Sequence, residues 1–142
     1  MSPTAVAEAF ERAPGLAERV GEGDPAAVIE RARSILGTMS DAERVAVLNA
    51  HPRIGATAGL SARSAAEQSA GASDPETQRA LGSLNAEYER TFGFRFVVFV
   101  NGRSRAEIVP ALQARLRRGR HQELATGIEE FLAIARDRME RG

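Results

Sequence analysis

The sequence predicts an all-α domain of about seven or eight helices with one buried extended segment at about residues 94–100. Three observations carry this expectation. Apolar residues recur at three- and four-residue spacing over most of the chain. Helix-start signals, an Asp or Ser followed by Pro or by Glu three residues on, stand at the head of several of these runs. Only residues 94–100 break the helical pattern. They are aromatic and β-branched, and no second strand-like run is present to pair with them.

Ser2-Pro3 is a cap followed by proline at the first helical position. A short helix is expected from there to about Arg12, with Val6, Ala9 and Phe10 apolar, ended by Pro14-Gly15. Residues 16–20 fit one or two turns ahead of Gly21 and Gly23. Asp24-Pro25 repeats the start signal, and Val28, Ile29, Ala32, Ile35 and Leu36 keep helical spacing up to Gly37. Ser40 and Glu43 have capping-box spacing. The helix they open carries Val45 and Leu48 inward, with Val47 a further candidate, and stops near Ala50 or His51, because Pro52 disfavours helical geometry in the residue before it.

Residues 52–59 read as a loop, and a short helix is expected at about 64–70, ended by Gly71. Ser73-Asp74-Pro75 opens a longer helix with Ala80, Leu81, Leu84 and Tyr88 inward, Phe92 at its end and Gly93 as C-cap. The extended segment follows. Its unpaired N–H and C=O groups need partners from helix ends, side chains, water or a ligand. It is therefore either a ligand-binding edge or a connector satisfied by its neighbours. Asn101-Gly102 marks a turn. Ser104 and Glu107 start a helix carrying Ile108, Val109, Leu112 and Leu116, with a bend expected near Pro110. A last helix runs from about His121 to Glu140.

The chain has 142 residues, 43% of them hydrophobic, which is one ordinary domain, residues 1–142, with enough apolar material for a core. The charges balance at 19 against 19, so no global field gathers nucleic acid or acidic lipid. All 19 basic residues are Arg. Without Lys there is no Schiff-base chemistry, and without Cys no thiolate nucleophile, disulfide or cysteine metal site. Two histidines far apart in the chain make a transition-metal site improbable. With no long apolar run and no basic-then-apolar N-terminus, the expectation is a cytoplasmic protein without a membrane partner.

The candidate chemistry gathers around residues 51–68. Ser64, Glu67 and Gln68 stand at i, i+3 and i+4, which on a helix places a hydroxyl, a carboxylate and an amide on one face. The Ser64–Glu67 spacing is also that of a capping box, and both readings stand. His51 sits at an expected helix C-terminus, where the dipole favours the imidazolium. It is either a proton-handling group or a cap on the last carbonyls. His121 lies among polar residues and reads as solvated. Arg115, Arg117, Arg118 and Arg120 read as a solvated basic helix end. Arg138 is seven residues beyond Phe131 and four beyond Ile134, so it continues the apolar face, either snorkelling or pointing into a pocket as an anion clamp.

His51-Pro52-Arg53-Ile54-Gly55, Ser64-Ala65-Ala66-Glu67-Gln68 with Ala70-Gly71-Ala72, Leu84-Asn85-Ala86-Glu87-Tyr88, and Phe92-Gly93-Phe94-Arg95-Phe96-Val97-Val98 follow one another along the chain. Glu107-Ile108 and Ile134-Ala135-Arg136-Asp137-Arg138-Met139 complete a set that covers about residues 45–139. Taken in order, these pieces resemble the OHCU decarboxylase family, which acts on 2-oxo-4-hydroxy-4-carboxy-5-ureidoimidazoline in urate breakdown. The resemblance implies an all-α domain, often a homodimer, that needs no cofactor and decarboxylates this substrate to (S)-allantoin. It implies His51 as the acid/base group, Glu67 as its polarising partner or a ligand for substrate nitrogens, and Arg138 as the substrate anchor. Pro52, Ser64 and Gln68 would line the pocket, and Val98 would offer main-chain contacts. Two positions depart from the family pattern. Arg95 stands where Pro is common, and Arg53 where Asp is frequent; both bear on loop shape and substrate choice. The alternatives are a catalytically silent ureide-binding or dimerisation module of the same fold, and a related lyase acting on a different heterocycle.

Overall fold

In the computed structural model of the protein, residues 9–10, 13, 16–21, 23–54 and 75–141 are described. Six helices lie among them: α1 (Leu16–Val20), α2 (Pro25–Thr38), α3 (Asp41–Asn49), α4 (Pro75–Phe92), α5 (Arg105–Leu116) and α6 (Arg120–Arg141). No strand occurs among the described residues, so the class is all-α as expected. The expectation of seven or eight also counted helices near residues 2–12 and 64–70. The second of these, and all of the first but Ala9 and Phe10, lie outside the described residues.

The helix starts follow the local chemistry. Asp24 caps α2 by accepting from the Ala27 N–H at 3.1 Å, with Pro25 in the first turn. Ser40 with Glu43, and Ser104 with Glu107, form complete capping boxes at α3 and α5. In each the serine's hydrogen bonds hold the glutamate below the usual carboxylate range. Gly93 ends α4 with φ +84° and donates its N–H to Glu89 O at 2.9 Å. Asn101 and Gly102 both have positive φ, 49° and 77°, and the Arg103 N–H closes that turn on Val100 O at 3.0 Å.

The last helix is the axis of the fold. α2, α3 and α4 all pack on α6, and α5 packs on α4. The buried residues of α6 run from Glu123 and Leu124 to Arg138 and Met139. Gly127 of α6 packs against α3: a Cβ there would stand 3.0 Å from Leu48 Cδ1, so the leucine side chain would have to shift to admit one. One turn further along α6, Phe131 meets the end of α3.

At the head of α6 a buried polar cluster ties four elements together. The Glu123 side chain is completely buried. It accepts from the Tyr88 hydroxyl of α4 at 2.7 Å and from Arg115 Nε of α5 at 2.7 Å, and Arg118 Nη1 lies 3.1 Å from its second oxygen. Arg115 in turn donates Nη1 to Val97 O of the extended segment at 2.6 Å, and its guanidinium lies 4.5 Å from the centre of the Phe96 ring. The expected solvated basic helix end is therefore corrected at Arg115, which is 8% exposed. Its charge is tolerated in the interior because Glu123 and a carbonyl take its donors. Arg120, on the rim, pairs with Asp41 at 3.0 and 2.9 Å and donates Nε to Phe92 O at 2.9 Å.

The extended segment is buried at Phe94, Phe96, Val97 and Val98. Side chains serve much of its main chain. Arg115 takes Val97 O, Glu130 accepts from the Phe99 N–H at 3.2 Å, and Arg103 donates to Phe99 O at 2.6 Å and Val100 O at 3.0 Å. The connector reading thus accounts for the flanks of the segment. Between them Val98 has no main-chain partner among the described residues.

Two outcomes follow from the buried cluster. Glu123→Ala leaves Arg115 charged and unpaired in the interior, and urea unfolding should register a loss of about 3–5 kcal/mol. The second concerns Tyr88, the single tyrosine of the chain. Burial, then the hydrogen bond to Glu123, raises its pKa well above the ordinary 10.0. A raised folded pKa contributes stability that is complete below the unfolded value and is lost as pH rises beyond it. Phenolate absorbance should therefore appear together with the loss of helical circular dichroism during alkaline titration. A phenolate signal that precedes unfolding would contradict this.

Candidate active site

α3 delivers His51 to the face of α6. The Pro52 ring ends the helix, and the His51 N–H still reaches back to Leu48 O at 3.1 Å. His51 is 8% exposed and stands edge-on to Phe131, with ring centroids 6.4 Å apart. Phe131 is stacked on Phe10 at 5.8 Å. Two turns along α6 from Phe131, Arg138 is 1% exposed, and its Nη1 lies 3.4 Å from Ala9 O, beside Phe10. The sequence left Arg138 to snorkel or to point inward; it points inward. His51 and Arg138 thus adjoin one aromatic pair and share one face of α6.

The chain on either side of His51 is held by arginines. Arg95 comes across from the extended segment, and its Nη1 donates to Asn49 O at 2.8 Å and His51 O at 3.0 Å. Its own N–H donates to Asn49 Oδ1 at 3.0 Å. Downstream, Arg53 grips Glu89 of α4 with two hydrogen bonds, at 2.5 and 2.8 Å, and Asn85 Nδ2 donates to Ile54 O at 3.0 Å. The half-buried Pro52 lies between these anchors. Beside the Arg53–Glu89 pair a cleft of about 650 Å³ opens along α4, with Ile54, Leu81 and Asn85 in its lining. Neither His51 nor Arg138 lines it, so its volume does not identify it with the candidate chemistry.

Among the sequence candidates, the structure brings His51 and Arg138 to one face, and the Val98 main chain has no partner among the described residues, between two anchored neighbours. Ser64, Glu67 and Gln68, including the expectation that Glu67 points toward His51, lie outside the described residues. His121 is exposed, as its polar surroundings implied. Among the described residues no group of His, Asp and Glu is placed to hold a metal ion, and no helix is long and apolar enough to cross a membrane. Sequence reasoning missed the roles of Arg95 and Arg115. The available signal for Arg115 was its spacing of three from Leu112, on the face that also carries Ile108. For Arg95 there was only its departure from an expected proline.

Three comparisons bear on this arrangement. The family model described as OHCU decarboxylase matches residues 3–140. A 2-oxo-4-hydroxy-4-carboxy-5-ureidoimidazoline decarboxylase of Halalkalicoccus jeotgali is 29% identical, over 96% of this chain and 81% of that protein. A uric acid degradation bifunctional protein of a Bacillus species (strain TB-90) is 30% identical over 92% of this chain, which spans only 28% of that longer protein. A crystal structure of OHCU decarboxylase in the presence of (S)-allantoin superposes with a TM-score of 0.80 at 24% identity, covering 99% of this chain and 97% of that one.

The Arg53–Glu89 tether generates a pH expectation. The hydrogen bond from Arg53 holds the Glu89 carboxyl below its ordinary value, against the opposing effect of burial. A depressed folded pKa gives stability that is present above the unfolded value and lost as pH falls through the folded one. Urea midpoints followed from neutral pH to about pH 3 should fall less steeply in Glu89→Gln than in the parent. Identical slopes would show that the tether adds nothing.

Proposed function

The chain belongs to the OHCU decarboxylase family, and from that premise we propose that it converts 2-oxo-4-hydroxy-4-carboxy-5-ureidoimidazoline to (S)-allantoin in urate degradation. The observation that carries the reading is the family match over residues 3–140, with His51 and Arg138 buried on one face of α6. The substrate has a carboxylate and a hydroxyl on one ring carbon, and the adjacent ring carbon is doubly bonded to nitrogen. When the bond to the carboxylate breaks, CO2 leaves and the electron pair moves into that imine, which acts as the electron sink. The resulting enol is then protonated on one face of the ureido-bearing carbon. A chain without Lys or Cys meets these demands by orientation, charge stabilisation and one directed proton transfer.

In this reading His51 meets the hydroxyl and carboxylate side and carries the proton. Arg138 anchors the anionic or carbonyl edge of the substrate through its forked donors. Glu67 polarises His51 or binds a ring nitrogen, and Pro52, Ser64 and Gln68 line the pocket. The Val98 main chain supplies hydrogen bonds; that its N–H and C=O find no partner among the described residues, between the anchored Val97 and Phe99, supports that role. The reading includes one catalytic domain over residues 1–142, no cofactor, a homodimer and a cytoplasmic location.

Chiral detection of allantoin formed from urate tests the activity, with the two upstream activities supplied and this protein added or withheld. An excess of the S enantiomer that depends on the protein is expected. Binding of allantoin without faster CO2 release would instead identify a silent module. His51→Ala should lower the turnover of freshly generated substrate by at least ~100-fold. Ordinary turnover in that variant would remove His51 from the chemistry.

A further inference from the structure

We propose that Arg95 is a positioning residue that sets the placement of the His51 imidazole. The proposal deepens the reading of His51 as the acid/base group and rests on it. α3 stops at Asn49, and its last carbonyls have no donors within the helix. Ala50 keeps helical geometry, with φ −74° and ψ −21°, so no left-handed glycine closes this end. Arg95 closes it from outside.

One guanidinium nitrogen of Arg95 bridges Asn49 O and His51 O at 2.8 and 3.0 Å, and the Arg95 N–H holds the Asn49 side chain at 3.0 Å. The His51 N–H is already committed to Leu48 O at 3.1 Å. Both main-chain groups of His51 are therefore fixed, one by α3 and the other by Arg95. The edge contact with Phe131 restricts what remains, the side-chain torsions. Arg95 is only half-buried and lies outside the Glu123 cluster, so its removal loosens this corner without opening the core.

A displacement of a reacting group by about 1 Å is enough to cost on the order of 100-fold in rate. Arg95→Ala should lower kcat by roughly 10- to 100-fold and leave KM within about threefold. In an Arg95→Ala/His51→Ala double variant, no loss beyond that of His51→Ala is expected, because Arg95 acts through His51. The chain has only two histidines, so nitrogen-15 NMR of the imidazoles separates them directly. The His51 ring signals should shift or broaden in Arg95→Ala, while those of the exposed His121 stay in place. Arg95→Gln, which keeps a donor and most of the stem, serves if the alanine variant does not fold, and it is read by the same comparison.

Unmoved His51 signals would overturn the proposal even if activity fell, and so would a further loss of rate in the double variant. Full activity of His51→Ala alone would defeat the functional reading instead. The imidazole spectra would then still decide whether Arg95 holds residue 51.

Discussion

A carboxylate with no exposure to water sits where four segments of this chain meet. Removing such a charge from water costs several kcal/mol unless its oxygens find donors. Tyr88 of α4 and Arg115 of α5 donate to one oxygen of Glu123, and Arg118, in the turn before α6, faces the other as an ion pair at 3.1 Å. The requirement runs in both directions. Arg115 is tolerable inside because Glu123 and Val97 O accept hydrogen bonds from it, and the Tyr88 hydroxyl because Glu123 accepts its hydrogen bond. The hydrogen bonds to Glu123 join α4 and α5 to α6, and Arg115 adds the extended segment, so the cluster favours one arrangement of these elements. That arrangement puts the extended segment against α6 and presents Val98 between two fixed neighbours. The candidate site thus depends on a polar contact that no substrate touches.

Much of the fold was legible because its signals are local. Asp24-Pro25, Ser40 with Glu43, Ser104 with Glu107, Gly93 and Asn101-Gly102 each fix a boundary by chemistry confined to four or five residues, and each appears where the sequence placed it. The extended segment was legible for the opposite reason, as the one run without helical spacing. Its partners were not, because Arg115, Glu130 and Asn49 lie 18 to 46 positions away from the groups they serve. Among the site residues, Arg138 could be placed on the apolar face of α6 by counting, but only packing against Ala9 and Phe10 decides that it points inward. Arg115 was misjudged because a cluster of four arginines at a helix end has the composition of a solvated patch. Burial of one of them depends on a glutamate from the next helix.

Arginine does a particular job throughout this molecule. Arg31 donates to Val20 O, Arg44 to Leu36 O and Gly37 O, Arg120 to Phe92 O, Arg103 to Phe99 O and Val100 O, Arg115 to Val97 O, and Arg95 to Asn49 O and His51 O. Most of these carbonyls lie at helix ends or in the extended segment, where the helical ladder leaves acceptor capacity to be filled. A guanidinium has five N–H groups in a fixed plane and can serve two carbonyls, or a carbonyl and a carboxylate, at once. Arg120 does the latter with Phe92 O and Asp41. In a chain whose cations are all arginines, helix ends and loops are stitched by side chains arriving from elsewhere.

The acceptors in this stitching are main-chain oxygens, and every amino acid carries one. A replacement at position 97, 99 or 100 alters the side chain but leaves the atom that the arginine grips. The information that locates the His51 corner and the Val98 segment is therefore concentrated in a few donors, while the accepting positions remain free to drift. Such a scaffold can lose most of its identity over evolutionary time and keep its geometry. Its vulnerable points are the arginines, whose replacement breaks contacts that no change at the other end can restore.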